Sequence, residues 1–108
     1  MNNKMTDLQY DNLLKINTIG KTIINDDYLH YCNYIPTPYS YLEKLFEKHP
    51  LKEEDTLIDF GSGKGRLIIY SNYLFSNSCI GIEFNKHIFQ CAKQNIMIIK
   101  NIIALMET

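Results

Sequence analysis

The chain has 108 residues, with 11 basic and 12 acidic side chains and a formal net charge of −1. This length allows one domain, and the near-zero charge gives no indication of nucleic acid or an anionic membrane as a partner. The 3 cysteines form no C-x-x-C pair, which argues against a disulfide framework or a zinc site and favours a reducing, cytoplasmic compartment. The longest apolar stretch, IMIIKNIIALM, is shorter than the roughly 20 residues of a membrane span.

The N-terminal third of the chain is polar and rich in tyrosine. We expect residues 1–35 to form a helical and irregular segment, because their apolar positions show only weak helical spacing. The Pro-Thr-Pro stretch that follows should be extended, since a residue before proline avoids the helical region. A helix is predicted from Tyr39 to His49, and Pro50 stands where that helix must have ended.

The rest of the chain alternates between short apolar runs, typical of strands, and apolar residues at helical spacing. Residues 55–60 (DTLIDF) are typical of a buried parallel strand, and a glycine-rich loop and a helical pattern over 64–75 follow. The stretch CIGIEF predicts a second strand, and Asn85 suits the N-cap of a second helix. This order predicts an α/β fold with a parallel sheet and right-handed crossovers. The isoleucine-rich residues 96–108 fit either an extended helix or further strands.

The loop LIDFGSGKGRLI places glycines at every second position directly after a strand. Glycine in an ordered element costs about 0.5–1 kcal/mol relative to alanine, so the cluster indicates a tight turn or a ligand close to the main chain. A P-loop is excluded because glycine, not serine or threonine, follows Lys64, and the G-x-G-x-x-G fingerprint is excluded by Arg66. The pattern that remains has one aspartate and three glycines, which are Asp59, Gly61, Gly63 and Gly65.

Two stretches, DFGSGKGR and GIEFN, resemble motif I and the acidic end of the second strand in class I S-adenosylmethionine-dependent methyltransferases. PTPYSYLEKLF is similar to the helix before motif I in small bacterial members. The resemblance implies a Rossmann-like fold, methyl transfer, and S-adenosyl-L-methionine as the cofactor, with its methionine part wrapped by the glycine loop. It also implies that Glu83 takes the ribose hydroxyls, a role that suits a carboxylate because its oxygens can accept from both hydroxyls. The expected cofactor-binding residues are Asp59, Gly61, Ser62, Gly63, Gly65, Arg66 and Glu83.

The resemblance divides the chain into an N-terminal segment, residues 1–35, and a partial methyltransferase domain, residues 36–108, with its glycine loop at 59–66. Only two strands are clear. Glu107 is the only acidic residue after Glu83, so the usual adenine-binding acid after the third strand is expected to be missing or displaced. No N/D-P-P-Y or other substrate-side motif occurs, so no catalytic residue is assigned. We therefore expect the N-terminal part of a methyltransferase, truncated or incomplete and inactive alone.

Two other classes of function stay open. A nucleotide binder of the NAD type would also use Glu83, since an acid at this spacing holds an adenosine ribose. A non-catalytic module could instead self-associate through an exposed sheet edge, because unpaired strands invite pairing. For the methyltransferase itself, the fold does not choose between RNA, protein and small-molecule acceptors.

The charged residues in and near the loop have alternative roles. Asp59 either satisfies loop amides or helps to place the ammonium group of the cofactor. Glu83 either binds the ribose or is a solvated residue at the end of a strand. Lys64 and Arg66 oppose the dipole of the following helix at a cost of about 0.3–1 kcal/mol when exposed. They therefore point either to water or to an anion such as the carboxylate of the cofactor.

Overall fold

A computed structural model describes residues 4–19, 22–23, 31–32 and 35–107. In chain order, the elements are α1 (Asp7–Leu14), β1 (Thr22–Ile23), β2 (Tyr31–Cys32), α2 (Tyr39–Lys48), β3 (Thr56–Phe60), α3 (Arg66–Phe75), β4 (Ser78–Glu83), α4 (Lys86–Asn95) and β5 (Ile102–Met106). The predicted helix before the glycine loop, the two strands around it and the two following helices are all present. The α/β fold class is therefore confirmed.

The main sheet has three strands in the order β3-β4-β5, and both pairs are parallel. The short strands β1 and β2 form a separate antiparallel pair. Two parallel crossovers, through α3 and α4, connect the strands of the main sheet in sequence. This connectivity brings the loops after β3 and β4 to the same edge of the sheet.

The isoleucine-rich C-terminal stretch contains a third parallel strand. After α4, residues 96–101 form a turn that includes Asn101 at φ 70°, and β5 then pairs with β4. Asparagine tolerates the left-handed region better than most residues, which suits it to end the turn. The helical extension that the sequence left open is therefore wrong for residues 102–106.

Capping side chains set the starts of two helices. In α1, the hydroxyl of Thr6 accepts from the backbone N–H of Gln9 at 3.1 Å, and the Gln9 side chain accepts from the Thr6 N–H at 2.7 Å. In α4, the side chain of Asn85 accepts from the N–H groups of His87 and Ile88, as the sequence predicted. Each bond satisfies an N–H group that the helix leaves without a partner.

The hydrophobic core lies between the helices and one face of the sheet. Its first cluster joins α3 and α4 to the strands and contains Ile68, Ile69, Cys79, Ile96 and Ile102. Its second cluster joins α2 to α3 and contains Tyr39, Leu42, Phe46 and Tyr70. Tyr10 of α1 stacks on Tyr39 with ring centroids 4.6 Å apart, which attaches the N-terminal helix to the second cluster.

The opposite face of the sheet is exposed. Six apolar side chains lie on this face in two rows across the strands: Ile58, Phe60, Ile80, Ile82, Ile103 and Leu105. Phe60 is 76% exposed and Ile103 is 54% exposed. No helix of the described residues is long and apolar enough to cross a membrane.

Candidate functional site

The glycine loop needs its glycines for conformational reasons. Gly61, Gly63 and Gly65 have φ angles of 76°, 60° and 95°, in the left-handed region that other residues rarely adopt. The backbone N–H groups of Gly61 and Ser62 donate to the carbonyl of Ile82 at 2.7 and 3.0 Å. These bonds tie the loop to the end of β4, where the acidic residue of the second motif lies.

Glu83 is buried between the glycine loop and the start of α4. Its Oε1 accepts from the N–H of Gly63, and its Oε2 accepts from the N–H of Asn85, both at 2.9 Å. The side chain is only 7% exposed, so the solvated strand end is wrong. A carboxylate oxygen has two lone pairs, so each oxygen keeps an acceptor site for a ligand.

Gly81, in the middle of β4, permits the loop to approach the sheet. A Cβ atom there would lie 2.7 Å from Ser62 Oγ and 2.8 Å from Ile68 Cδ1. This glycine is not among the site residues predicted from the sequence. An isolated glycine within a strand pattern is a sign of close backbone approach, and that signal was present in CIGIEF.

Arg66, the first residue of α3, is 3% exposed, and its guanidinium is hydrogen-bonded to other residues of the chain. Its Nε donates to Thr18 Oγ1 at 2.7 Å, and its Nη1 donates to Asp7 Oδ2 at 3.2 Å and to the Thr37 carbonyl at 3.1 Å. Its guanidinium also lies over the ring of Tyr39, with Cζ 4.4 Å from the centroid. The alternative in which this cation points to water is therefore wrong.

Lys64 is buried as well, at 7% exposure. Its backbone carbonyl accepts from the side-chain amide of Asn95 at 2.9 Å, which joins the glycine loop to the end of α4. The same amide nitrogen donates to the carbonyl of Asn17. Neither cation of the loop is a solvated surface residue.

A second buried acid holds the N-terminal segment in place behind Arg66. The carboxylate of Asp11 accepts from the N–H and the hydroxyl of Thr18 at 2.6 and 2.7 Å, and from the hydroxyl of Tyr39 at 2.7 Å. Thr18 thus connects this acid to the guanidinium of Arg66. No motif in the sequence indicated these contacts, which join Asp11 to Thr18, seven residues away, and to Tyr39, 28 residues away.

A cavity of about 390 Å³ opens at the carboxyl edge of the sheet. It brings together six of the seven sequence-predicted site residues, which are Asp59, Gly61, Ser62, Gly63, Arg66 and Glu83. The exception is Gly65, which does not line the cavity and lies at the N-cap of α3. The rim includes the exposed side chains of Ile35 and Phe84.

The cavity contains two carboxylates close enough to affect one another. Burial raises the pKa of Asp59, and the negative charge of Glu83 raises it further. A positively charged ligand would relieve this repulsion, so the electrostatics favour a cation or a zwitterion with its positive group near Asp59. Among the described residues, no group of histidine, cysteine and acidic side chains could hold a metal ion.

The geometry agrees with a match to a known protein family. Residues 26–107 match the family described as "Histone methylation protein DOT1". The chain belongs to the DOT1 family. The resemblance to class I methyltransferases, inferred from the glycine loop and Glu83, is thereby confirmed.

Several methyltransferases are similar to the chain in sequence or in fold. The chain is 30% identical over 70 residues to a protein-lysine N-methyltransferase of Saccharolobus islandicus, and the match covers 64% of this chain and 44% of that protein. The solved structure of an RNA methyltransferase from Salinibacter ruber with S-adenosyl-L-homocysteine has a TM-score of 0.63 and 25% identity, covering 68% of this chain and 50% of that one. A protein-L-isoaspartate O-methyltransferase shares the fold, with a TM-score of 0.62, 20% identity, and coverage of 76% and 26%. This DOT1-family chain thus spans about half the length, or less, of these relatives.

The third strand gives Glu107 a defined position. Glu107 follows β5 directly, and its N–H donates to the Glu83 carbonyl at 3.0 Å. An acidic residue therefore stands directly after the third parallel strand. The sequence did not predict this strand, so the position of Glu107 directly after a parallel strand could not be recognised.

Proposed function

We propose that this chain is the cofactor-binding part of a DOT1-family methyltransferase and binds S-adenosyl-L-methionine in the cavity at the carboxyl edge of the sheet. The main support for this proposal is the position of Glu83. This acid is buried at the end of β4, bonded to Gly63 of the glycine loop, and lines the same cavity as Asp59. An acidic cavity beside a glycine loop suits a ligand that has a ribose diol at one end and cationic groups at the other.

Each predicted site residue has a role in this proposal. Asp59 lies where its carboxylate can attract the ammonium group, and Glu83 accepts from the ribose hydroxyls. Gly61, Ser62 and Gly63 bring the backbone close to the methionine part. Gly65 contributes through its φ of 95°, which turns the chain into α3. For Arg66 we propose proximity to the carboxylate of the cofactor, because it lines the cavity at the N-terminus of α3.

We propose that Glu107 binds the adenine of the cofactor. The resemblance places an acid after the third strand of such sheets beside the adenine ring, and Glu107 occupies that position next to Glu83. Phe84, which is 74% exposed on the cavity rim, supplies an apolar surface nearby. No catalytic residue is proposed within the chain.

The methyl acceptor is proposed from the family and the curated relative together. Both descriptions name protein methylation, so we propose a protein side chain as the acceptor of the complete enzyme, in preference to RNA or a small molecule. We also propose residues 1–35 as an N-terminal segment and 36–108 as the partial methyltransferase domain. The cysteine usage supports a cytoplasmic location, and a bacterial source follows only from the resemblance to small bacterial members.

Self-association through the sheet edge is part of the proposal. Among the described strands, β3 pairs only with β4, so its other edge presents backbone groups without a strand partner. Such an edge can add a strand from another molecule. No membrane partner is proposed.

Isothermal titration calorimetry tests the cofactor assignment. Purified protein is titrated with S-adenosyl-L-methionine, S-adenosyl-L-homocysteine and NAD, and we expect the first two to bind and NAD to bind far more weakly. The Glu83→Ala variant should lose this binding, whereas Glu53→Ala, which removes an exposed glutamate, should retain it. Binding of NAD as tightly as S-adenosyl-L-homocysteine, or unchanged binding by Glu83→Ala, would contradict the proposal.

A further inference from the structure

The N-terminal helix α1 contributes a carboxylate that joins two elements beside the cofactor cavity. Asp7 is the first residue of α1. Its Oδ1 accepts from the backbone N–H of Tyr39 at 3.1 Å, and its Oδ2 accepts from Arg66 Nη1 at 3.2 Å. Tyr39 and Arg66 are the first residues of α2 and α3. One side chain therefore connects the starts of both helices, although its partners are 32 and 59 residues away in the chain.

Both connections reach residues that line the cavity. Arg66 is a lining residue itself, and Thr37, two residues before Tyr39, is another. The Nη1 atom that binds Asp7 also donates to the Thr37 carbonyl at 3.1 Å. The wall formed by residues 35–37 and the wall formed by the start of α3 are thus joined through a single guanidinium nitrogen, and Asp7 is bonded to that nitrogen.

The helix α2 depends on Asp7 for a cap. Pro38 occupies its N-cap position and makes no side-chain hydrogen bond to the helix. The first N–H groups of a helix need partners outside it, and Asp7 provides one for Tyr39. A carboxylate also suits the positive end of the helix dipole. Asp7 therefore helps to fix the start of α2, the helix that contributes Leu42 to the cavity.

Arg66 depends on Asp7 for its charge. The guanidinium is buried, and within the described residues its Nη2 atom has no hydrogen-bond partner. Its ion pair is with Asp7. A buried charge is costly unless it is paired, and removing the partner leaves that charge uncompensated. Without Asp7, the guanidinium should leave its position at the cavity wall.

We propose that Asp7 is a positioning residue for the cofactor cavity, and this role rests on the proposed binding of S-adenosyl-L-methionine there. Asp7 is not among the lining residues. It acts through Arg66 and Tyr39, which hold the start of α3 and residues 35–37 at their distance from one another. The effect is reciprocal: a ligand that binds better when Asp7 holds Arg66 must itself strengthen that contact.

Calorimetry with S-adenosyl-L-homocysteine distinguishes positioning from competition. If Asp7 only competed with the carboxylate of the ligand for Arg66, Asp7→Ala would free the cation and tighten binding. Positioning predicts weaker binding. Partners that orient metal ligands change affinity about 10–100-fold when they are mutated, and we expect a loss of about tenfold here. Circular dichroism sets a temperature at which every protein compared is folded.

Tyr10→Phe is the matched control. It removes another hydrogen bond between α1 and α2, the one from the Tyr10 hydroxyl to Glu43 at 2.9 Å, and leaves the bonds of Arg66 in place. It should bind the ligand as tightly as the unmodified chain. Unchanged or tighter binding by Asp7→Ala, or an equal loss in Tyr10→Phe, would overturn the proposal. Where Asp7→Ala does not fold, Asp7→Asn replaces it, because its one oxygen can hold one of the two partners.

Nuclear magnetic resonance follows Arg66 without a ligand. Arg66 is the only arginine in the chain, so its Nε–H gives a single resonance. This buried group donates to Thr18 at 2.7 Å and should exchange slowly with solvent. Asp7→Ala should speed the exchange, Tyr10→Phe should not, and S-adenosyl-L-homocysteine should slow it in the unmodified chain.

The two measurements separate this role from the proposed function. An unmodified chain that binds no S-adenosyl-L-homocysteine would overturn the proposed function and the role of Asp7 with it. Normal binding by the unmodified chain, with exchange at Arg66 that Asp7→Ala leaves unchanged, would overturn the role of Asp7 alone.

Discussion

The backbone N–H of Gly63 donates to the carboxylate of Glu83 at 2.9 Å, across 20 residues of sequence. The second oxygen of the same carboxylate accepts from the N–H of Asn85. One side chain therefore fixes both the glycine loop and the start of α4. The acid that is proposed to bind the ribose also organises the backbone around the cavity.

Glu83→Gln should destabilise the protein. The amide of glutamine has only one acceptor oxygen, so one of the two backbone N–H groups would face an NH₂ group instead of an oxygen. A hydrogen bond to a charged group contributes about 1.5–3 kcal/mol, and we expect a loss of that order in the free energy of unfolding. Urea denaturation measures it. Glu53→Gln, at an exposed position, should have no effect, and equal stability of the two variants would contradict this role of Glu83.

Gly81→Ala should displace the glycine loop. The new Cβ would lie within 2.8 Å of Ser62 and Ile68, and forcing an extra carbon into a packed site costs about 1–3 kcal/mol. Ser62→Gly should recover much of this loss in the double variant, because it removes two of the three closest atoms. A double-mutant cycle of unfolding free energies measures the coupling. Strictly additive losses would show that Ser62 and residue 81 do not compete for space.

Gly63→Val should abolish binding of S-adenosyl-L-homocysteine. Valine at a φ of 60° is strained because it is β-branched, and Gly63 is one of the residues that line the cavity. Gly63→Asn is the comparison variant, because asparagine tolerates this backbone conformation. Calorimetry gives the affinity and thermal unfolding gives the stability. If both variants bound the ligand as tightly as the unmodified protein, close approach of a ligand to the loop would be excluded.

Asp59 should make stability depend on pH. Its pKa is raised in the folded state by burial and by Glu83, so the folded protein holds the proton more tightly than the unfolded chain. Stability should therefore fall as pH rises from the ordinary aspartate pKa of about 4 to the raised value, and this contribution should stay constant above it. Asp59→Asn should remove that fall and be more stable at neutral pH. Urea denaturation across this pH range compares the two proteins, and parallel curves would contradict the raised pKa.

The 108-residue chain alone should not transfer methyl groups. Methyl transfer requires the acceptor and the sulfonium to be held in line, and the described residues include no acceptor-side motif. The chain also spans only 44% of the length of its curated relative. Purified protein incubated with labelled cofactor and mixed cell RNA and protein should show no incorporation. Sustained turnover that Glu83→Ala abolishes would contradict this expectation.

The sequence predicted the part of the fold that depends on local signals. The glycine loop, the strand before it and the cap at Asn85 each carry their own pattern, so their positions could be assigned from neighbouring residues. The strand β5 could not, because an isoleucine-rich run such as residues 96–106 fits the period of a helix and that of a buried strand. Pairing with β4 decides between them, and pairing is a tertiary contact.

The surroundings of Arg66 were not predictable for a different reason. The residues around it suggested a cation that opposes a helix dipole, yet its partners Asp7 and Thr18 are in the N-terminal segment. Nothing in a single sequence relates residues so far apart. Gly81 differs, because an isolated glycine in a strand pattern indicates close backbone approach, although its partner Ser62 is known only from the structure.

The bonds of Arg66 have a consequence for the order in which the protein folds. They join residues that are 59 and 48 positions apart, whereas β3, α3 and β4 contact their neighbours in the chain. Distant contacts form slowly, because a long loop must close before they contribute. We therefore expect α1, which is synthesised before Arg66, to dock late. The helix α1 is then synthesised before α3 but packs against it later, because its bond to Arg66 can form only after Arg66 has left the ribosome.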